Sequence, residues 1–157
     1  MKIRLLVIGK TDKKYLEEGI ETYLRRIVRY LPFEYVIIPD VKNARSIGEQ
    51  LQKEREGIML LEHIRASEEL ALLDAGGTEY SSTEFAGFIE GRMTGGLKSL
   101  CFAVGGPYGF SRAVYDAATT TVSLSRMTFS HQIVRLLFAE QLYRALTIIK
   151  GEPYHHE

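Results

Sequence analysis

The ten residues SLSRMTFSHQ, Ser123 to Gln132, carry three serines, a threonine, one arginine and one histidine, and no carboxylate. Such a stretch offers a ligand backbone amides and carbonyls, hydroxyls and apolar walls, not paired acids or metal-binding oxygens. It stands where a strand runs into a helix. GGPYG, Gly105 to Gly109, holds the same position after another apolar run, and its glycines let the backbone approach a ligand closely. LLDAGG, Leu72 to Gly77, follows a third run. Three loops of this kind at strand ends suit a neutral or zwitterionic adenine-bearing ligand better than a polyphosphate, which asks for lysine or a helix N-terminus.

Other chemistries lack their residues. The G-x-G-x-x-G spacing of a dinucleotide site, the Gly-Lys-Ser/Thr ending of a phosphate loop and the G-x-S-x-G elbow of a serine hydrolase are all absent from the chain. His131, His155 and His156 have no Cys or carboxylate at a metal-ligand spacing, so no metal is expected. Cys101 is the only cysteine, which excludes an intramolecular disulfide and reads as a buried inert thiol. Asp74 reads better as a turn residue than as a ligand contact. His131, one position after the expected N-cap Ser130, reads first as a helix-start residue.

These loops need a frame to hold them. IRLLVI (3–8), FEYVII (33–38), ELALLD (69–74), LCFAV (100–104) and 120–125 read as strands, with Gly76-Gly77 as the turn that ends the third. Between them, 13–29 spaces Tyr15, Leu16, Ile20, Tyr23, Leu24 and Ile27 as an amphipathic helix, and 44–63 reads as one long helix. Ser81 followed by Glu84 has the capping-box spacing, so a helix should run from there to Thr94 and stop at Gly95-Gly96. A short helix over 112–117 and a long one over 130–150 complete the set. Apolar strands alternating with helices imply an α/β fold, a single-domain parallel sheet flanked by helices over residues 1–157. Apolar residues occupy more than one stripe of the last helix, which predicts burial on two sides, the second against another copy of the chain.

The chain has 157 residues, 45% of them hydrophobic and 25% charged, with 20 basic and 20 acidic side chains. Zero net charge argues against a protein that coats nucleic acid. The distribution is uneven: residues 58–91 hold one basic against seven acidic side chains, while both flanks lean positive by three. An RNA-facing surface from the two ends is therefore allowed but not required. No apolar run is long enough for a membrane span, and the expected address is the cytoplasm.

FAVGGPYGF and SLSRMTFSHQIVRLLFAEQLYRALTIIKGEPYH, with the opening MKIRLLVIGK and the mid-chain LLDAGGTEYSS, resemble the ribosomal large-subunit RNA pseudouridine N3-methyltransferase family (RlmH) of the SPOUT superfamily. The resemblance spans essentially the whole chain and is most specific from Gly105 to His155. It implies a C-terminal trefoil knot, a departure from ordinary topology, with homodimerisation across the knot and S-adenosylmethionine held by the knotted loops. Position by position, it places cofactor contacts on Leu73, Gly105, Leu124, Ser125, Arg126, Met127, Thr128 and Phe129. It assigns Tyr154 and His155 to the RNA and target-base site. Two positions depart from the family's common pattern: Ser130 stands where proline is frequent, and His156 where a basic residue is. The implied reaction is methyl transfer to N3 of a pseudouridine in 23S ribosomal RNA of the assembled ribosome. His155 or His131 would take the N3 proton, and Tyr154 would stack on or orient the base. A transfer RNA methyltransferase of the same superfamily and a non-catalytic ribosome-binding factor are the alternatives.

Overall fold

The structure, a computed structural model, describes residues 1–156. Its elements in chain order are β1 (Lys2–Ile8), α1 (Lys14–Ile27), β2 (Phe33–Ile38), α2 (Ala44–Ile47), α3 (Glu49–Glu62), β3 (Glu68–Glu79), α4 (Ser82–Thr94), β4 (Ser99–Val104), α5 (Arg112–Ala117), β5 (Thr120–Ser123) and α6 (Ile133–Lys150). The strands form one parallel sheet in the order β2-β1-β4-β3-β5. This is the α/β arrangement expected from continuous apolar strands, which must be covered on both faces.

Alternation along the strands divides the core in two. Ile3, Leu5 and Val7 of β1 with Leu100, Phe102 and Val104 of β4 face the larger core, which α1, α4 and α6 close. Leu6 and Ile8 with Cys101 and Ala103 face the other side, under Leu60 of α3 and Val114 of α5. Burial pushes the Cys101 thiol up to about 12, so it stays an inert core group. Arg4, the buried charge in β1, donates to Glu68 at 2.6 Å and to the His63 carbonyl at 3.0 Å.

The capping box forms as its spacing demands. Ser81 Oγ accepts the Glu84 N–H, and the Glu84 carboxylate accepts the Ser81 N–H at 2.7 Å. Helix α4 then ends at Gly95, with Gly96 at φ 79°.

Four elements differ from the sequence reading. The long helix over 44–63 is broken by Gly48, at φ 81° and ψ 159°, into α2 and α3. Gly76-Gly77 does not end the third strand. Leu73 and Thr78 both pair with Val122, so the residues between them bulge out and β3 resumes to Glu79. Strand β5 stops at Ser123, before residue 125. Helix α6 begins at Ile133, three residues after Ser130, although Ser130 Oγ still accepts the Ile133 N–H at 3.2 Å. A proline there could not supply that acceptor.

Part of the apolar surplus of α6 is taken up within the chain, while Ile133 stays exposed and Val134, Leu136, Leu137, Ile148 and Ile149 are half-buried. Phe138, Ala139, Leu142, Ala145 and Leu146 are buried in the larger core, and the helix packs between α1 and α4.

The bulge has a steric requirement. A Cβ on Gly77 would lie 2.6 Å from the Thr121 carbonyl carbon and 2.7 Å from the Val122 nitrogen. Gly77→Ala must therefore push β5 off the sheet, at an expected cost of about 2 kcal/mol from overpacking. Thermal unfolding checks this, and an unchanged midpoint would show that the bulge relaxes freely.

Candidate active site

A cleft of about 530 Å³ opens at the C-terminal ends of β3, β4 and β5. That volume falls in the range of small-molecule sites, and the place is where parallel sheets bind ligands. Its walls come from the three loops singled out by composition: residues 73–75, the turn from Gly105 to Phe110, and residues 124–131. Leu73, Gly105, Leu124, Ser125, Met127, Thr128 and Phe129 all line it. Arg126 does not. Its side chain is 86% exposed and turns outward, 3.6 Å from Glu79.

Hydroxyls shape the last loop instead of facing the cleft as reagents. Ser123 Oγ donates to the Ser125 carbonyl at 2.9 Å, and Ser125 Oγ accepts the Met127 N–H at 2.9 Å. These serine turns bend the chain sharply and leave backbone and apolar groups on the inner side. The glycine loop is equally specific. Gly109 N–H donates to the Gly106 carbonyl at 3.1 Å, and Gly109 sits at φ 78°, where a side chain would be strained. Asp74 lines the cleft where the β3 bulge begins, and its oxygens accept the Gly76 N–H at 2.8 Å and the Tyr115 hydroxyl at 2.7 Å. Burial and the Asp74 carboxylate push the Tyr115 hydroxyl up to about 12.

From the sheet edge at β5, residues 124–132 run past the ends of β3 and β4 to reach β1. Two anchors fix the far end. Gln132 Nε2 donates to the Lys10 carbonyl at 3.2 Å, and its Oε1 accepts the Asp12 N–H at 2.9 Å. Arg135, 0% exposed, donates to the carbonyls of Ile8 at 2.6 Å, Gly9 at 2.8 Å and His131 at 2.9 Å. Composition did not single out Arg135. The available signal is one arginine inside the apolar run IVRLLFA, where a charge survives burial only if fixed acceptors meet it.

The three histidine and tyrosine candidates do not meet within one chain. His131 lines the cleft. Burial, and next the Arg135 charge, hold its imidazole below the ordinary value, so it is neutral at pH 7. Tyr154 and His155 lie beyond the opposite end of α6, whose 18 residues span about 27 Å. There the Tyr154 ring packs on Tyr143 at 4.7 Å, with the Arg144 guanidinium 4.8 Å from its centroid. Its hydroxyl donates to Glu140 at 3.2 Å and lies 3.4 Å from the Tyr23 hydroxyl. Burial and these two neighbours raise the Tyr154 pKa, so the phenol stays protonated. His155 Nδ1 sits 3.4 Å from Arg144, and Tyr30 donates to Glu152. Among the described residues no group of three or more His, Cys, Asp or Glu side chains could hold a metal ion, and no helix is long and apolar enough to cross a membrane.

A parallel sheet with a loop-lined cleft at the C-terminal ends of its strands is a common layout for small-molecule binding in α/β proteins. The family described as "Predicted SPOUT methyltransferase" matches residues 1–155. Similarity to curated proteins runs the full length. The chain is 52% identical over 157 residues to "Ribosomal RNA large subunit methyltransferase H" of Parabacteroides distasonis, with all of both chains covered. It is 53% identical over 156 residues to the protein of that name from Christiangramia forsetii, covering 99% of each chain. With that of Porphyromonas gingivalis it shares 51% over 157 residues, again with both chains fully covered. The chain belongs to the SPOUT methyltransferase family and, within it, to the group named ribosomal RNA large subunit methyltransferase H.

Proposed function

We propose that the protein methylates N3 of a pseudouridine in 23S ribosomal RNA of the assembled ribosome, with S-adenosylmethionine as methyl donor. The observation that carries this reading is the cleft: seven of the eight residues expected to touch the cofactor line one cavity, in a chain 52% identical end to end to a ribosomal RNA large subunit methyltransferase H. The donor set fits an adenosyl group. It offers backbone amides and carbonyls, apolar walls at Leu73, Leu124 and Phe129, and no lysine that a polyphosphate would need. When bound, the cofactor supplies an electrophilic methyl group on a sulfonium.

The protein's part is positioning and proton removal. N3 of the base gains the methyl group and gives up its proton to a histidine nitrogen. His131, neutral and in the cleft wall, is one acceptor; His155 on the tail is the other. Tyr154 stacks on or orients the base.

The separation of tail and cleft supports a homodimer in which one copy's tail serves the other copy's cleft. Met127, Phe129 and Ile133 leave an exposed apolar rim at the cleft mouth, Met127 being 75% exposed, and that rim is where a second copy would dock. The crossing of residues 124–132 over the ends of β3 and β4 supports the trefoil knot. Zero net charge supports recognition of a large assembled particle by shape, with naked RNA a poor substrate.

Tritium transfer from labelled S-adenosylmethionine to ribosomes from a strain lacking the gene tests the assignment, with isolated subunits and transfer RNA in parallel. Label on a pseudouridine of assembled ribosomes alone is the expected result. Label on transfer RNA, or on no RNA despite cofactor binding, overturns it. The pH dependence identifies the proton acceptor. If His131 is the base, the rate rises with pH through an ionisation below the ordinary histidine value of about 6.5, because burial and Arg135 disfavour the charged ring. That acid limb should vanish in His131→Asn; a limb that survives assigns the proton to the tail.

A further inference from the structure

Helix α3 presses two consecutive residues against the glycine loop from the side away from the cleft. Gly57 packs against Ser111: a Cβ there would run into Ser111 Oγ and lie 3.2 Å from Val114. Glu56 packs against Gly106, where a Cβ would lie 2.7 Å from the carboxyl carbon of Glu56. Thus the bare face of Gly106 is needed for Glu56, while the rest of Gly106 lines the cleft.

Glu56 is only 4% exposed. Its Oε1 accepts from Gln52 Nε2 at 2.8 Å, but its Oε2, the oxygen nearest Gly106, has no hydrogen-bond partner. No cation lies within ion-pair distance of it among the described residues. A buried carboxylate without a counter-ion is costly, and such a group keeps its proton instead. Burial raises its pKa, opposed by the Gln52 hydrogen bond and assisted by the Asp40 carboxylate. Lys53, one turn back on α3, borders the same small space beneath the loop.

We propose that Glu56 is a positioning residue for the cofactor loop: its neutral carboxyl, set beneath Gly106, holds the turn from Gly105 to Ser111 in its binding position, and its ionisation loosens that turn and weakens cofactor binding. Ionised, the carboxylate has no ion-pair partner in the packed structure, and relief comes by lifting the loop to admit water or the Lys53 ammonium. This inference rests on the cleft being the S-adenosylmethionine site.

Calorimetric titration of the full-length protein with S-adenosylhomocysteine between pH 5.5 and 9 tests it. The parent protein is expected to bind about tenfold more weakly at the alkaline end. Glu56→Gln, which has the shape of the neutral acid and cannot ionise, should keep the low-pH affinity and lose the slope. Glu56→Ala should bind weakly throughout. Charging of His131 would alter binding only at the acid end and would persist in Glu56→Gln, so the two contributions separate. An affinity in the parent that does not change with pH, or the same slope in Glu56→Gln, overturns the role of Glu56. A parent that binds no S-adenosylhomocysteine at any pH overturns the cofactor assignment itself.

Discussion

Replacing Arg135 by methionine is expected to destabilise the protein by about 4 kcal/mol and to lower its unfolding midpoint by about 8–16 °C. The side chain donates to three carbonyls, those of Ile8, Gly9 and His131, from a fully buried position. Hydrogen bonds from a charged donor contribute more than neutral ones, and removal leaves buried acceptors without partners. An opposing argument comes from buried ion pairs, whose replacement by apolar residues is often neutral because both charges go together. Here the acceptors are backbone and stay behind, so that relief is not available. Arg135→Lys should fall between, since one ammonium cannot reach three carbonyls in the guanidinium's fixed fork. Thermal unfolding at one fixed protein concentration gives the answer. A midpoint for Arg135→Met within a degree of the parent would mean the carbonyls find other donors.

The second large effect concerns rate. His155→Ala is expected to lower the methylation rate by about 10²–10⁴-fold if the tail holds the base, the range for a lost general acid–base group. Cofactor affinity should stay within about twofold of the parent, because His155 is assigned to the target base and none of the expected cofactor contacts lies on the tail. A mixing experiment then separates tail from cleft. Subunits carrying His155→Ala are combined with subunits whose cleft is blocked by Gly105→Val, where even a Cβ meets the Gly109 backbone at 3.1 Å. Each is inactive alone. In a two-fold dimer with exchanged tails, random mixing leaves one working site in half of the dimers, about a quarter of full activity. Sites built within one subunit would give none.

Much of the frame is legible in the sequence because it depends on neighbours in the chain. The cores of the apolar strands and the Ser81–Glu84 cap are set by spacing of two to four residues, and they form where the spacing puts them, although β3 runs longer and β5 shorter than read. The loops of the cleft are legible too, since glycines and serines at strand ends have few other uses. What escapes is decided by distant contacts. Gly48 looks like a glycine a helix could tolerate, but it adopts a backbone conformation that ends one helix and starts another. Gly76-Gly77 looks like a turn, yet pairing with β5 draws the strand onward. Arg126 belongs to a cleft-forming stretch but turns to Glu79. Arg135 and Glu56 look like surface charges on helices, and only the packed structure shows one fastening a loop to β1 and the other wedged under a glycine. His131 and His155 read as neighbours in purpose, while an 18-residue helix stands between them.

The position of α6 also governs when the protein can fold. Five of its residues complete the larger core, and Arg135 closes the end of β1, the first strand made. During synthesis the N-terminal strands emerge with one face of their sheet uncovered, and β1 must also wait for β4 before it has both neighbours. Native structure is thus withheld until α6 has emerged, a delay that non-local pairing lengthens and that exposes apolar surface to chaperones. A truncated chain stopping before α6 would be a product for the proteases.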